Sequence, residues 1–122
     1  MANAGGASSR LSVSVDRTTT EAVVRVDGEL DVEPAAELQR VAEATLTTPT
    51  ERLVVNCSEL EFIDSTGMRA LVLIREASIE AGTTMTLEDP TPWVKQMLAL
   101  TGLIELFPAV PATSSRPELR TR

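Results

Sequence analysis

The sequence predicts an α/β domain in which a mixed four- to five-stranded β-sheet packs with three to four α-helices. Near the start, two apolar stretches of period two, residues 11–16 and 22–27, follow each other closely. Two later apolar runs, 53–57 and 84–87, each follow a segment whose apolar residues recur at helical spacing. Period two marks strands and spacing of three and four marks helices, and strands separated by helices favour a partly parallel sheet with right-handed crossovers.

Leu11, Val13 and Val15 alternate with Ser12, Ser14 and Asp16, while Ala22, Val24 and Val26 alternate with Val23, Arg25 and Asp27, which predicts an antiparallel hairpin turned at 17–20. Pro34 suits the first turn of a helix. Leu38, Val41, Ala42 and Leu46 follow with Glu37, Arg40 and Glu43 opposite, predicting a helix over 34–47. Residues 53–57 lack a polar face, as expected of a central strand covered on both sides. Ser65 stands where a second helix should open, and Gly82 follows its last apolar turn at Ala81. A strand over 84–87 is broken by Pro90 and Pro92, 94–100 is helical before Gly102, and 103–107 is the candidate closing strand.

On the second helix, Gly67, Ala70, Leu71, Ile74 and Ala77 line the side expected to meet the sheet. Met68, Val72 and Ile79 form another apolar stripe. Either the third helix covers that stripe, or part of it, Met68 especially, meets a partner.

At 122 residues, 43% hydrophobic and 24% charged, the chain is an ordinary single domain. Its expected span is 11–107, between tails at 1–10 and 108–122 that lack periodic apolar pattern. One cysteine, Cys57, precludes an internal disulfide and reads as a small core residue; the absence of histidine removes Cys/His zinc sites and a histidine base. No run of eighteen apolar residues occurs and the first ten residues lack a signal-peptide core, so a cytoplasmic protein without membrane contact is expected. Net charge is −7, and residues 27–64 hold ten acids against Arg40 and Arg52, which argues against nucleic-acid binding. Trp93 reads as a packing anchor at the start of the third helix.

Asp64-Ser65-Thr66-Gly67 sets an acid, two hydroxyls and a glycine between a buried strand and a helix. By itself this is a helix start, with Ser65 or Thr66 accepting a free backbone N–H and Gly67 permitting close packing. The stretch also resembles the phosphorylation-site loop of STAS-domain anti-sigma factor antagonists, in which Asp-Ser-(Ser/Thr)-Gly follows a strand and opens a helix. Gly28-Glu29-Leu30-Asp31 is similar to that family's motif between the second strand and first helix. Val94 with Met97-Leu98-Ala99-Leu100-Thr101-Gly102-Leu103 resembles its late helix and exit.

The resemblance implies a STAS-like fold and an antagonist that, unphosphorylated, binds an anti-sigma factor serine kinase and so releases a sigma factor. It implies Ser65 as the phosphate acceptor, Thr66 as second candidate, and Asp31, Asp64 and Gly67 as its surroundings. Expected partner contacts are Glu29, Asp31, Glu33, Ser65, Thr66, Met68 and Val72. The kinase phosphorylates Ser65 to switch the protein off and a serine phosphatase restores it; no cofactor, metal or catalytic residue is expected. Asn56 departs from the family, where many relatives carry Asp, and removes a charge at that position.

Two rival readings compete with this one. Asp64-Ser65-Thr66-Gly67 resembles the Asp-(Ser/Thr)-Gly of aspartic proteases, but with one inserted residue and no second copy to supply the paired carboxylate. Ser65 has no histidine to activate it and the chain has no P-loop, so an enzyme is not expected. The other rival keeps the fold as a module that binds nucleotide or lipid, or as an accessory subunit of a transporter or stress-signalling complex.

Overall fold

Thr18 makes the first hairpin. Its N–H donates to the Glu21 carbonyl at 2.8 Å and its Oγ1 accepts from Glu21 N–H at 3.1 Å, which reverses the chain between β1 (Leu11–Arg17) and β2 (Glu21–Leu30). The two strands pair antiparallel, Val13 opposite Val26 and Val15 opposite Val24. The molecule is seen as a computed structural model that describes residues 11–30 and 32–110. The expected tails therefore lie outside the described residues except for 108–110.

From β2 the chain runs through α1 (Val32–Thr45), β3 (Arg52–Ile63), α2 (Ser65–Glu80), β4 (Thr84–Glu88), α3 (Pro92–Leu100), a 3-10 turn (Ile104–Leu106) and β5 (Ala109–Val110). The sheet order is β1-β2-β3-β4-β5, parallel at every pairing after the hairpin. The expected α/β class and mixed sheet are what the chain forms: the described residues hold five strands and three α-helices, within the four to five strands and three to four helices expected.

Register explains the core. Ala22, Leu53 and Met85 form one row across β2, β3 and β4, and Val24, Val55 and Leu87 form the next. All six are buried and join Leu38 and Ala42 of α1, Leu71 and Ile74 of α2, and Val94 and Leu98 of α3 in one cluster. Fully burying a Leu, Ile or Val side chain contributes about 1.5–3 kcal/mol, so these rows and helix faces supply the main stabilising term. Val23 and Val54 form a separate buried pair on the other face of the sheet.

Three local expectations are corrected. The central strand does not stop at residue 57 but runs to Ile63, because register shifts between Arg25 and Asp27 and between Gly28 and Glu29 absorb extra β3 residues. Bulges break the period-two pattern, so Ser58, Glu59 and Glu61 look like loop. Residues 103–107 are not a strand: Gly102 turns with φ +77°, Leu103 N–H donates to the Leu98 carbonyl at 2.9 Å, and a 3-10 turn follows. The closing strand is instead Ala109–Val110, within the expected tail.

Candidate functional site

Leu30 and Ile63 are register partners, and so are Glu29 and Phe62. Two adjacent parallel strands therefore finish level, and each feeds a helix, α1 from Val32 and α2 from Ser65. The third helix starts at the same edge. Thr91 caps α3 by accepting from Val94 N–H at 3.4 Å, and its hydroxyl donates to the Leu60 carbonyl of β3 at 3.0 Å. The edge where parallel strands end is where α/β folds gather functional side chains.

At this edge Asp64, with extended backbone (φ −111°, ψ −171°), is the N-cap of α2. Its Oδ1 accepts from Gly67 N–H at 2.9 Å, and its carbonyl accepts from Met68 N–H at 2.9 Å. This corrects the assignment of the cap to Ser65 or Thr66: a carboxylate accepts the bond, and Ser65 is the first helical residue. Its hydroxyl is thereby left out of the cap and stands exposed, whereas Thr66 is half-buried and Gly67 is buried. The amides of Ser65 and Thr66 belong to the first helical turn, whose N–H groups have no partner one turn back. Arg69 lies four residues along α2 from Ser65 and is exposed.

The remaining expected residues divide. Glu29 is half-buried beside Phe62. Asp31 lies outside the described residues; Glu33 is in the first turn of α1, with its side chain outside those described. Val72 is half-buried and packs against the core. Met68, expected among the partner contacts, is 4% exposed and belongs to the core, with Thr101 Oγ1 at 3.7 Å from its sulfur. The end of α3 covers it. Ile79, in the same expected stripe, is 58% exposed.

Asn56 lies within β3 between Arg25 and Glu88, and its amide donates to Glu88 Oε1 at 2.6 Å. Its Oδ1 accepts from Ser58 N–H and Oγ at 3.2 and 2.8 Å. The side chain is thus occupied in buried bonding between strands. Cys57 is fully buried and burial pushes its thiol from 9.0 up to about 12, so it holds its proton at neutral pH. Among the described residues no group of three His, Cys, Asp or Glu side chains could hold a metal, and no helix is long and apolar enough to cross a membrane. A cavity of about 310 Å³ lies at the other end of α2, lined by Arg75, Ser78, Met85 and Leu106 among others, and contains none of the expected site residues.

Sequence reasoning missed one pair at this edge. Trp93, expected as a packing anchor, is 43% exposed and stacks on Phe62, itself 38% exposed, with ring centroids 6.0 Å apart and planes 22° apart. It also missed Thr91-Pro92, a threonine cap followed by proline at the first helical position, which marks the start of α3 two residues before the expected one.

The chain is 25% identical over 99 residues to an anti-sigma F factor antagonist of Paenibacillus polymyxa, spanning 80% of this chain and 85% of that protein. An anti-sigma factor antagonist from Mycobacterium paratuberculosis superposes with a TM-score of 0.74 at 27% identity, covering 84% of this chain and 86% of that one. The antagonist SpoIIAA shares the fold at 19% identity in two forms: unphosphorylated (TM-score 0.74, 87% of this chain and 92% of that one) and, from Bacillus, phosphorylated (TM-score 0.69, 91% and 100%). Residues 13–108, nearly all of the described fold, match the family model described as Mlab, STAS domain, and the chain belongs to the STAS domain family.

Proposed function

We propose that this protein is an anti-sigma factor antagonist whose binding to an anti-sigma factor serine kinase is switched by phosphorylation of Ser65. The observation that carries this reading is the division of labour at the start of α2. Asp64 takes the cap bond, and Ser65 presents an exposed hydroxyl beside it. The half-buried Thr66 is the poorer acceptor. The names of two relatives, anti-sigma factor antagonists at 25% and 27% identity, support the antagonist part of this reading.

The switch follows from charge. A phosphate adds about −1.5 to −2 near neutral pH and three acceptor oxygens. Within the molecule the open N–H groups of the first turn of α2 accommodate that anion, and Arg69 one turn along supplies a cation, so the fold survives modification. Across an interface made for a hydroxyl, beside Asp64, the same charge brings repulsion and desolvation. Losing roughly 3 kcal/mol weakens docking by about two decades. The unmodified form then occupies the kinase and frees its sigma factor; a serine phosphatase restores that form.

Incubation with candidate anti-sigma kinases and ATP, followed by mass spectrometry, tests the acceptor: phosphate on Ser65 is expected. Ser65→Glu should lose kinase binding by tenfold or more with an unchanged melting temperature. A Ser65→Glu protein that holds the kinase as tightly as the native chain does overturns the switch.

A further inference from the structure

The Phe62–Trp93 stack does little for the core. Ile63, the next residue of β3, is fully buried among the helices, while Phe62 and Trp93 leave 38% and 43% of their surfaces in water. The rings stack on each other while both residues keep a large share of their surface in solvent. An open aromatic face carries negative potential and takes one of three things: another planar ring such as a nucleobase, an apolar side chain, or a planar cation.

The charge around the pair selects among them. Glu29, the register partner of Phe62, lies on the same side of the sheet and Asp64 follows two residues later, whereas Glu61, next to Phe62 in the strand, is turned to the opposite face. Residues 53–68 contain no lysine or arginine, and the first cation after them, Arg69, lies one turn into α2 beside Ser65. The cation nearest Trp93 in sequence is Lys95, two positions along α3 and so turned to a different side of the helix. A nucleotide would bring phosphates into this acidic rim. A guanidinium is planar, weakly hydrated, stacks on aromatic faces and donates in its own plane to carboxylates, so ring and rim suit it together.

Resting on the proposed docking at the Ser65 edge, we propose that the Phe62–Trp93 stack is a cation–π platform that receives an arginine side chain of the protein partner. The platform supplies favourable contact beside the hydroxyl whose phosphorylation supplies the repulsion.

Trp93 is the only tryptophan, so its fluorescence reports on this surface alone. The probe is a capped Gly-Arg-Gly peptide, compared with the same peptide carrying Lys or Leu and with AMP. A saturable change in Trp93 emission with a millimolar midpoint is expected for the arginine peptide, at least fivefold weaker for lysine, absent for AMP and lost in Phe62→Leu. No saturable change, or an equal response to the leucine peptide or AMP, overturns the platform. With an anti-sigma kinase as ligand, Phe62→Leu and Trp93→Leu should each weaken binding about five- to tenfold, circular dichroism and melting confirming the fold. Native affinity in both, alongside lost binding in Ser65→Glu, removes the platform and leaves the switch; unchanged binding in Ser65→Glu removes the switch, and the peptide titration still decides the platform.

Discussion

Asn56 and Glu88 face each other across β3 and β4 as register partners, joined by a buried 2.6 Å hydrogen bond from amide to carboxylate. The bond gives a physical reason for amide rather than acid at this position. An Asp would lose the donor and set a second carboxylate against Glu88, where only 7% and 2% of the two residues are exposed. Asn56→Asp should therefore cost about 2–4 kcal/mol at neutral pH, in the range of an uncompensated buried charge. Urea denaturation of both proteins at pH 7 measures it, and equal stability of the two would overturn the role given to the amide.

The order of elements was legible in the sequence because each segment kept its period and its stops. Gly82 and Gly102 end α2 and α3 with φ of +73° and +77°, as their place after helical runs suggested. The second half of β3 was not legible, since its bulges spoil alternation while the strand still pairs with β2. Helical spacing drew two apolar stripes on α2 but could not say which one α3 would cover, and so left Met68 open. Phe62 and Trp93 are separated by 31 residues, and only β4 and the turn into α3 bring their rings together. Of the candidate site, the sequence placed Asp64 and Ser65 at a strand-to-helix junction, and the register brings the ends of β2 and β3 level there; that Asp64 rather than a hydroxyl caps α2 was not legible, because several residue types can fill a cap.

Asp64→Ala tests which residue caps α2. Removing a carboxylate that accepts from Gly67 N–H should cost about 1 kcal/mol, with the melting temperature falling by roughly 3–6 °C. Asp64→Asn, which keeps an acceptor, should recover most of the loss. Ser65→Ala should stay within about 0.5 kcal/mol of the native chain, as expected for an exposed residue outside the cap. Thermal denaturation of the three variants separates the roles, and a larger loss in Ser65→Ala than in Asp64→Ala would return the cap to Ser65.

Met68→Asp should unfold much of the population at 37 °C. The side chain is 4% exposed, lies in the main cluster and touches Thr101, so a carboxylate there is buried without a partner, at a cost of several kcal/mol. Met68→Leu, close in volume, should cost less than about 1.5 kcal/mol. Circular dichroism melts decide this, and a Met68→Asp protein melting like the native chain would place Met68 back on the surface.

Cys57 makes alkaline stability a measurement of burial. In the folded protein its thiol is raised from 9.0 to about 12 by desolvation, while the unfolded chain ionises near the ordinary value. A raised folded value means that the stabilising difference is fully present below pH 9 and is lost as pH climbs from about 9 toward 12. The unfolded state sheds a proton that the folded state retains. The slope from one such group approaches about 1.4 kcal/mol per pH unit. The background is unusually clean, because the chain has no tyrosine and a single lysine, so few other side chains titrate in that window. Stability from urea denaturation should therefore fall between pH 9 and 11 in the native protein and stay nearly flat in Cys57→Ala. A matching decline in both proteins would show that Cys57 ionises in the folded state as freely as in the unfolded one.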